Sequence, residues 1–350
     1  MSAKRATISD IATAAGVSKT TVSRYINGRF DLLSESARTR VEKAIQLANY
    51  RPNAAARSLK TQRSYLVGVI VANITTPFAT SLLNGISQGL REGGYVPIFA
   101  DAADSPQTEH TLVGSLVSHQ VDGLIVNTTC SENPELIGLA NSGTPVVLVD
   151  RSVNDYNFDI VTTPYREPTL ELMGHLRDAG YARATIVTQD YENNSPRSAR
   201  VDAFLEGDRE LFGAKEPERD VYLVNPWEHG NTAEVVRRVL EETPGDDPVA
   251  IYANNTVTLI AVSNALAELG VKMPGRVGLC GPDDWGWAHR MGWDWTQSLG
   301  GGVTTFETDP YGMGFEAAKL MLERIADPSG KKQQRLVPTK LRIRASTRLG

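Results

Sequence analysis

Residues 7–28 read TISDIATAAGVSKTTVSRYING, and this stretch decides the fold of the N-terminal region. It opens with Thr7 and an acid three residues later, a capping-box pattern that marks the start of a helix. A short turn at Gly16 follows, and Ser18 then caps a second helix that ends near Asn27. Two short helices joined by a tight glycine turn are typical of a helix-turn-helix, whose second helix enters the major groove of DNA.

A third helix is predicted from its N-cap, Ser34, to about Asn49. The apolar residues Val41, Ile45 and Ala48 recur at helical spacing and are expected on its buried side. The N-terminal region is therefore predicted to be a domain of three short helices, with the second as the recognition helix.

The net charge of −5 is distributed unevenly along the chain. Residues 1–63 contain twelve lysines and arginines against four acids, a net charge of +8, which leaves −13 on the remaining 287 residues. A basic head on an acidic body indicates that one end of the molecule binds phosphates. A basic terminus can also be a solvated tail, and it is the helical pattern that favours DNA binding.

Residues 7–28, together with YRPNAAARSLKT at residues 50–61, resemble the DNA-binding head and hinge of the lactose-repressor/galactose-repressor family. The resemblance implies a helix-turn-helix domain over residues 1–51 and a hinge helix with linker over residues 52–63. It implies that base edges are touched by Lys19, Thr20 and Arg24, and that phosphates are contacted by Thr21, Ser23 and Asn27. The segment GRFDLLSES, residues 28–36, is slightly longer than the family's usual loop, so the backbone contacts there stay open.

The segment after the third helix is too short to be stable by itself. Pro52 ends that helix, because the residue before a proline is pushed out of the helical region. Asn53 can cap AAARSLK, whereas an isolated helix needs roughly 12–15 residues to persist in water. In the family this hinge folds in the minor groove, where a leucine wedges between base steps. The resemblance assigns that role to Leu59 and adds Asn53 and Arg57 to the DNA contacts.

From Tyr65 onward, short β-rich runs such as YLVGVIVA and PVVLVD alternate with helical segments. This alternation predicts an α/β fold in which helices cover both faces of parallel sheets. The remaining chain resembles the two-lobed effector core that the family shares with periplasmic sugar-binding proteins. The run KKQQR, residues 331–335, is expected to be a solvated basic loop before a last strand. The core is expected over residues 64–350, with a first lobe at about 64–162 and 307–326 and a second lobe at about 163–306 and 327–350.

Ligands of parallel α/β sheets bind beyond the carboxyl ends of the strands. The candidate effector contacts at such strand ends and at helix starts are Asn73, Phe78, Arg151, Arg197, Arg200, Asn254, Asp283 and Trp285. The resemblance matches Arg200 to the family arginine that grips effector oxygens, and Phe78 to an aromatic that covers a ring. Taken singly, a polar residue after a strand is more often a turn or a helix cap, so the candidates carry weight only together.

Four of the five tryptophans fall within eleven residues, in a stretch longer than the family's usual loop: Trp285, Trp287, Trp293 and Trp295. Stacking on a sugar face is one interpretation for Trp285. Burial in an enlarged loop or at a subunit surface is the other, and it is favoured for Trp293 and Trp295.

The ligand is expected to be a sugar acid. The stretches DRSVNDYNFDIVTT (residues 150–163) and ENNSPRSAR (residues 192–200) are similar to family members that sense keto-gluconate-like compounds. Arg197 and Arg200 are three residues apart on one helix face, and the planar fork of a guanidinium matches a carboxylate. A neutral sugar or a nucleoside stays open, because one cleft arginine is common to most of the family.

Other classes of protein are disfavoured. The chain lacks the GxSxG, P-loop and strand-linked GxGxxG motifs of common α/β enzymes. Its five histidines lack metal-ligand spacing, so we expect neither catalysis nor a metal nor another cofactor. Two cysteines imply no disulfide framework, the N-terminus has no signal-like apolar region, and the longest apolar stretch is too short to cross a bilayer. We therefore expect a cytoplasmic transcriptional regulator, most often a repressor in this family, that binds a palindromic operator and a carbohydrate-type effector as a homodimer or tetramer.

Overall fold

The computed structural model describes residues 6–50, 63–273, 275–283, 291–298 and 301–349. The chain divides into two units, Met1–Ser64 and Tyr65–Gly350. Among the described residues, no helix is both long enough and apolar enough to cross a membrane.

The described part of the N-terminal unit contains three α-helices: α1 (Ile8–Ala15), α2 (Lys19–Ile26) and α3 (Glu35–Leu47). The capping box predicted at Thr7 is confirmed, since its side chain accepts from the Asp10 backbone N–H and Asp10 accepts from the Thr7 N–H. Gly16 takes the left-handed conformation (φ 62°), which lets the chain turn sharply towards α2. The helices share a small apolar core of Ile11, Ala12, Ala15, Val22, Val41 and Ala44.

Helix α3 ends earlier than the sequence predicts. Its last residue is Leu47, and Ala48 is exposed rather than buried. The helix stops because Asn49 adopts a left-handed conformation (φ 44°), a common way for a helix to terminate. Its core side is formed by Ala37, Val41, Ala44 and, partly buried, Ile45.

The second unit alternates strands and helices along its described length. In chain order its elements are β1 (Leu66–Val71), α4 (Pro77–Glu92), β2 (Val96–Asp101), α5 (Pro106–Ser118), β3 (Gly123–Val126), α6 (Pro134–Asn141), β4 (Val146–Val149), β5 (Asp159–Thr162), α7 (Arg166–Asp178), β6 (Arg183–Thr188), α8 (Ser195–Gly207), β7 (Val221–Leu223), α9 (Asn231–Glu242), β8 (Val249–Ala253), α10 (Thr256–Glu268), β9 (Val277–Asp283), β10 (Thr304–Glu307), α11 (Pro310–Ala326), β11 (Gln334–Leu336) and β12 (Lys340–Arg342).

In the described chain these strands form two six-stranded sheets, and each sheet is the centre of one lobe. The first has the order β11-β5-β4-β3-β1-β2 and is parallel throughout. The second has the order β12-β10-β9-β8-β6-β7, and its edge strand β12 runs antiparallel to β10. Apolar clusters lie on both faces of each sheet, so central strands such as β1 read as continuous apolar runs. The predicted α/β fold with two lobes is confirmed.

The segment after α11 differs from its predicted place. Strand β11 pairs with β5 and so belongs to the first lobe, whereas the sequence predicts residues 327–350 in the second lobe, with 331–335 as a solvated loop. The prediction is wrong for β11, whereas β12 does pair with β10 in the second sheet. The difference at β11 has a physical cause, because Asp159 on β5 is fully buried and needs partners. Its carboxylate accepts from Arg324 Nε on α11 (2.7 Å) and from the Gln333 backbone N–H (2.9 Å). A buried charge is tolerated when it is paired and hydrogen-bonded, which holds the basic run against the sheet.

Three short segments of the described chain connect the lobes: residues 163–165, 308–309 and 337–339. The sequence places the second connection at residue 307, but Glu307 is still the last residue of β10. Two connections touch, because the Thr163 hydroxyl donates to the Val337 carbonyl (2.8 Å) and lies against the Thr339 hydroxyl. Thr163, Thr308 and Thr339, one from each connection, line one small pocket, so the lobes are joined at one place.

Helices α4 and α11 pack closely against each other in the first lobe. A Cβ atom added to Gly85 would clash with the Tyr311 carbonyl, and one added to Gly314 would clash with the Leu82 carbonyl. The missing side chains at these two positions let the helix backbones approach each other. Helix α11 has the bounds that the sequence predicts, Pro310–Ala326.

Candidate functional site

A cleft of about 120 Å³ lies between the two lobes, at the carboxyl ends of the strands. Its wall includes residues that follow closely after strands: Asn73 after β1, Asp104 after β2, Asn127 after β3, Asp150 and Arg151 after β4, Gln189 after β6 and Asn255 after β8. Parallel strands of one sheet end at the same edge, which is why residues far apart in sequence meet there. The arrangement is that of a binding site for a small polar molecule.

Two arginines of the second lobe enter the cleft from the first turns of α8. Their spacing of three residues puts Arg197 and Arg200 on one face of the helix. Arg197 donates to the Asp190 carbonyl (2.8 Å) and to the Gln189 side-chain oxygen (3.0 Å). Arg200 donates to the Asn254 carbonyl (3.1 Å). Neutral oxygens therefore hold both guanidinium groups in place without neutralising their charge.

A third arginine, Arg151, lines the cleft from the first lobe and donates to the Thr128 carbonyl (3.0 Å). Within the described residues, none of these three arginines forms an ion pair with a carboxylate. The pKa of Arg197 is lowered to about 10, first by burial and then by the charges of Arg151 and Arg200, although Asp104 acts in the opposite direction. An anionic ligand would stabilise the charged form of this group.

The first-lobe wall carries two carboxylates, Asp104 and Asp150, so arginines outnumber acids among the described lining residues. Asp104 accepts from the Asn73 side-chain amide (2.8 Å), and Asp150 accepts from the Tyr165 hydroxyl (2.6 Å). The Arg200 guanidinium lies over the Tyr165 ring, 4.7 Å from its centroid, and is attracted by the ring face. Burial, followed by the charge of Asp150, raises the pKa of Tyr165 well above its usual value, so its hydroxyl stays a donor. Tyr165 thus orients one cleft arginine and one cleft acid together.

Five of the eight predicted effector contacts line the cleft: Asn73, Phe78, Arg151, Arg197 and Arg200. Asn254 does not, because it is fully buried behind the wall. Its amide donates to Thr188 Oγ1 (2.8 Å) and to the Arg197 carbonyl (3.2 Å), so it supports α8 instead of facing a ligand. Its neighbour Asn255 lines the cleft in its place.

The other predicted residues cannot be placed in the cleft or on the head, since they fall outside the described part of the chain. They are Asn53, Arg57 and Leu59 in the hinge, and Trp285 after β9. Asp283 is the last residue of β9, and its side chain also falls outside the described part.

The sequence interpretation missed several residues of the wall. Trp227 lines the cleft from the loop after β7 and is 67% exposed there. It follows the apolar run VYLV, and Arg151 was selected because it follows a predicted strand. The expectation that ligand contacts follow strands therefore applies to Trp227 equally. Gln189, directly after β6, meets the same expectation. Asp104 could not be selected in this way. Its place in the cleft depends on the left-handed conformation of two successive residues, Ala103 and Asp104 (φ 50° and 55°), which the local sequence does not predict.

The recognition helix α2 of the N-terminal unit presents polar side chains to solvent. Thr21 is hydrogen-bonded to Ser18 (2.9 Å), and Asn27 donates to the Ser23 carbonyl (2.8 Å), so these predicted phosphate contacts also take part in bonds within the head. The three predicted base contacts are exposed and make no side-chain hydrogen bond within the described residues: Lys19, Thr20 and Arg24.

Known protein families match both units. Residues 7–53 match the model of bacterial regulatory proteins of the lacI family, and residues 173–347 match that of the periplasmic binding protein-like domain. The chain is 31% identical over 342 residues to the HTH-type transcriptional regulator KdgR of Bacillus subtilis, with 97% of each chain covered. It is 33% identical over 345 residues to the HTH-type transcriptional regulator PtxS of Pseudomonas putida, with 98% of this chain and 96% of that protein covered.

The same fold occurs in solved structures. The lac repressor dimer bound to operator and the anti-inducer ONPF aligns with a TM-score of 0.81 at 19% identity, over 98% of this chain and 99% of that chain. The complex of the transcriptional regulator CelR with cellobiose aligns with a TM-score of 0.67 at 24% identity, over 98% and 100%. These solved structures share less than 25% of their sequence with this chain, so they show its fold. KdgR and PtxS are more than 30% identical over almost the whole chain, and they show its family. The chain therefore belongs to the LacI family of bacterial regulatory proteins, and it is a DNA-binding transcriptional regulator with an effector-binding domain, not an enzyme.

Proposed function

We propose that this regulator binds its operator as a homodimer, acts as a repressor, and changes its operator affinity when a sugar acid occupies the cleft between the lobes. We infer the chemical class of the effector from three arginines that line the cleft and have no ion-pair partner among the described residues: Arg151, Arg197 and Arg200. The three side chains are partly buried, so a counter-charge is favourable there, and a bound carboxylate supplies it.

The guanidinium groups suit a carboxylate in shape as well as in charge. Each keeps N–H donors beyond those given to its neutral acceptors, in a planar fork that fits two carboxylate oxygens. Arg197 and Arg200 come from one lobe and Arg151 from the other, so an acid in the cleft has donors on both sides. Charge-assisted hydrogen bonds of this kind contribute about 1.5–3 kcal/mol.

The rest of the cleft suits a hydroxylated carbon skeleton. Asn73, Asn127 and Gln189 offer amide donors and acceptors to hydroxyl groups, and Phe78 and Trp227 offer aromatic faces to C–H surface. A neutral sugar or a nucleoside would use the same groups but would leave the arginine charge uncompensated. The acid is therefore the better fit.

The DNA contacts are assigned to the head. Exposed side chains of α2 read base edges in the major groove, and polar side chains beside them contact phosphates. Two such heads meet two half-sites, so a palindromic operator fits a homodimer. The proposed contacts are Lys19, Thr20 and Arg24 to bases, Thr21, Ser23 and Asn27 to phosphates, and Asn53, Arg57 and Leu59 in the minor groove.

Arg200→Ala tests the effector class. An operator is obtained by selection from random duplex DNA, and its release is titrated with gluconate, 2-ketogluconate, neutral sugars and purine nucleosides. In the wild type we expect only the acids to act. In Arg200→Ala the affinity for the acid, measured by calorimetry, should fall roughly 10- to 100-fold, equivalent to about 1.5–3 kcal/mol, while operator binding without ligand stays intact. Arg200→Lys should recover part of the loss, because an ammonium keeps the charge but not the planar fork.

Arg177→Ala is the matched control, since Arg177 is an exposed arginine of the same lobe that pairs with Asp178 at the end of α7. It should leave acid binding unchanged. Wild-type acid affinity in Arg200→Ala, or operator release by a neutral sugar or nucleoside and not by the acids, would contradict the sugar-acid proposal.

A further inference from the structure

The first-lobe wall of the cleft holds its two carboxylates in an unusual backbone conformation. Asp104 has φ 55° and Asp150 has φ 66°, and Ala103, directly before the first, has φ 50°. Left-handed conformations are uncommon for residues other than glycine, although aspartate and asparagine adopt them more readily than the rest. They persist where the surrounding structure imposes them, and they concentrate at binding and catalytic sites. The backbone here is therefore shaped to place two acids at the cleft.

The contacts of Asp104 fix its position and leave one oxygen available. Its backbone N–H donates to the Ala72 carbonyl (2.6 Å), which ties the loop after β2 to the end of β1. Asp104 is exposed to the cleft and solvent: Oδ2 accepts from the Asn73 amide (2.8 Å), whereas Oδ1 has no hydrogen bond within the described residues. Asp150 differs, because both of its carboxylate oxygens accept a hydrogen bond, Oδ1 from the Tyr165 hydroxyl (2.6 Å) and Oδ2 from the Asn127 amide (3.4 Å). Asp104 is thus the acid that can accept a hydrogen bond from a ligand.

Charge is distributed unevenly across the cleft. The second lobe contributes Arg197 and Arg200 and no carboxylate among its described lining residues, whereas the first lobe contributes both acids beside Arg151. A ligand with an acid group at one end and hydroxyl groups at the other matches this distribution, with the acid towards α8 and a hydroxyl donating to Asp104. On the first-lobe side Asp104 and Asp150 stand against a single arginine, Arg151, so a second acid group at the hydroxyl end would meet a net negative charge. Neither carboxylate could donate a hydrogen bond to the other.

We propose that Asp104 is a specificity-determining residue that limits the effector to one carboxylate, so that the cleft binds polyhydroxy monocarboxylates and rejects the matching dicarboxylates. This inference rests on the proposed sugar-acid function and adds which end of the acid each lobe recognises.

D-gluconate and D-glucarate are a matched pair of probes, because they differ only in one terminal group, a hydroxymethyl in gluconate and a carboxylate in glucarate. Their affinities for the full-length protein are measured by calorimetry at one pH and one ionic strength. The wild type should bind gluconate at least about tenfold more tightly than glucarate. Asp104→Asn keeps the size of the side chain and tolerates the left-handed conformation. It should weaken gluconate binding and strengthen glucarate binding, so that the ratio of affinities falls towards one.

Asp155→Asn is the control, because Asp155 is also left-handed (φ 59°) but lies outside the cleft wall of the described chain. It should leave both affinities unchanged, and an unchanged melting temperature shows that Asp104→Asn is folded. If the wild type bound the two acids with equal affinity, the inference would be overturned and the sugar-acid proposal would stay intact. This measurement needs no variant. So would an unchanged ratio in folded Asp104→Asn. Binding of D-glucose in preference to both acids would overturn the sugar-acid proposal itself.

Discussion

Asp208 is a buried acid outside the cleft, directly after α8, and only 2% of its surface is exposed. Its Oδ2 atom has no hydrogen-bond partner within the described residues. Burial, followed by the charge of Asp220, raises the pKa of Asp208 to about 7, although Arg183 and Arg209 act in the opposite direction. Near neutral pH the carboxyl is therefore partly protonated in the folded protein, whereas it is ionised in the unfolded chain.

This difference makes stability depend on pH. Between 3.8, the ordinary value, and about 7, the folded state holds a proton that the unfolded state has released. The free energy of unfolding therefore decreases as the pH rises through this window. Asp208→Asn removes the titrating group and is expected to stabilise the protein above pH 7, by at most about 4 kcal/mol, with little effect near pH 4. Urea unfolding at pH 5 and pH 8 measures the change.

The control for this prediction is Asp246→Asn, because Asp246 is an exposed acid of the same lobe. Its effect on unfolding should be small and similar at both pH values. If Asp208→Asn shifted stability equally at pH 5 and pH 8, a raised pKa at this position would be ruled out.

At the scale of the elements, glycines in helices α4 and α11 allow the two helix backbones to pack closely against each other. A glycine inside a helix costs stability through backbone entropy, so it persists where something compensates. At Gly85 and Gly314 the compensation is the close approach of the partner helix backbone. At Gly114 in α5, by contrast, nothing in the described structure lies within 4 Å of the place that a Cβ atom would take.

Alanine at these positions is therefore expected to act in opposite directions. Gly85→Ala should destabilise the protein by about 1–3 kcal/mol, because its methyl group meets the Tyr311 carbonyl. Gly114→Ala, the matched control, should stabilise it by about 0.5–1 kcal/mol, because the helix loses a glycine without a clash. Thermal unfolding of both variants measures the two effects. Stabilisation by Gly85→Ala would show that the helix backbones are not in close contact there.

Elements with local signals could be predicted from the sequence, whereas those that depend on distant partners could not. Helix α11 is bounded by a capping acid, Asp309, a proline at its first position and apolar spacing, all of which are local. Strand β11 depends on Asp159, which pairs with an arginine 165 residues away. In the cleft, Arg200 could be predicted from the family resemblance and Arg151 from its place after a strand. Asp104 could not, because its position depends on two successive left-handed residues.

At the scale of the whole molecule, the positive charge lies in the part proposed to bind DNA, and the negative charge lies in the part proposed to bind the effector. The basic residues 1–63 carry +8 and the remaining chain carries −13. Phosphate attraction supplies nearly all nonspecific affinity for DNA, so an acidic core contributes none of it. Operator binding is therefore expected to reside in the head and hinge, and effector binding in the core.

A fragment of residues 63–350 is accordingly expected to be folded and to bind the sugar acid with the affinity of the full-length chain, but to have lost binding to operator and to random DNA. Circular dichroism, calorimetry and DNA titration at one fixed salt concentration, each with the full-length protein in parallel, measure the three properties. An unfolded fragment, or one that still binds DNA, would contradict the division of tasks.

The order of elements in the first lobe has a consequence for how the chain is made. Strands β1 to β5 come early in the core, but α11 and β11, which complete that lobe, follow the whole of the second sheet's parallel strands. A ribosome needs roughly 10–45 seconds to synthesise the stretch from α4 to α11 at about 5–20 residues per second. During that time the face of α4 that packs against α11 lacks its partner helix on the nascent chain. A chain cut short before α11, by a premature stop codon or a protease, would therefore lose the lobe that was synthesised first.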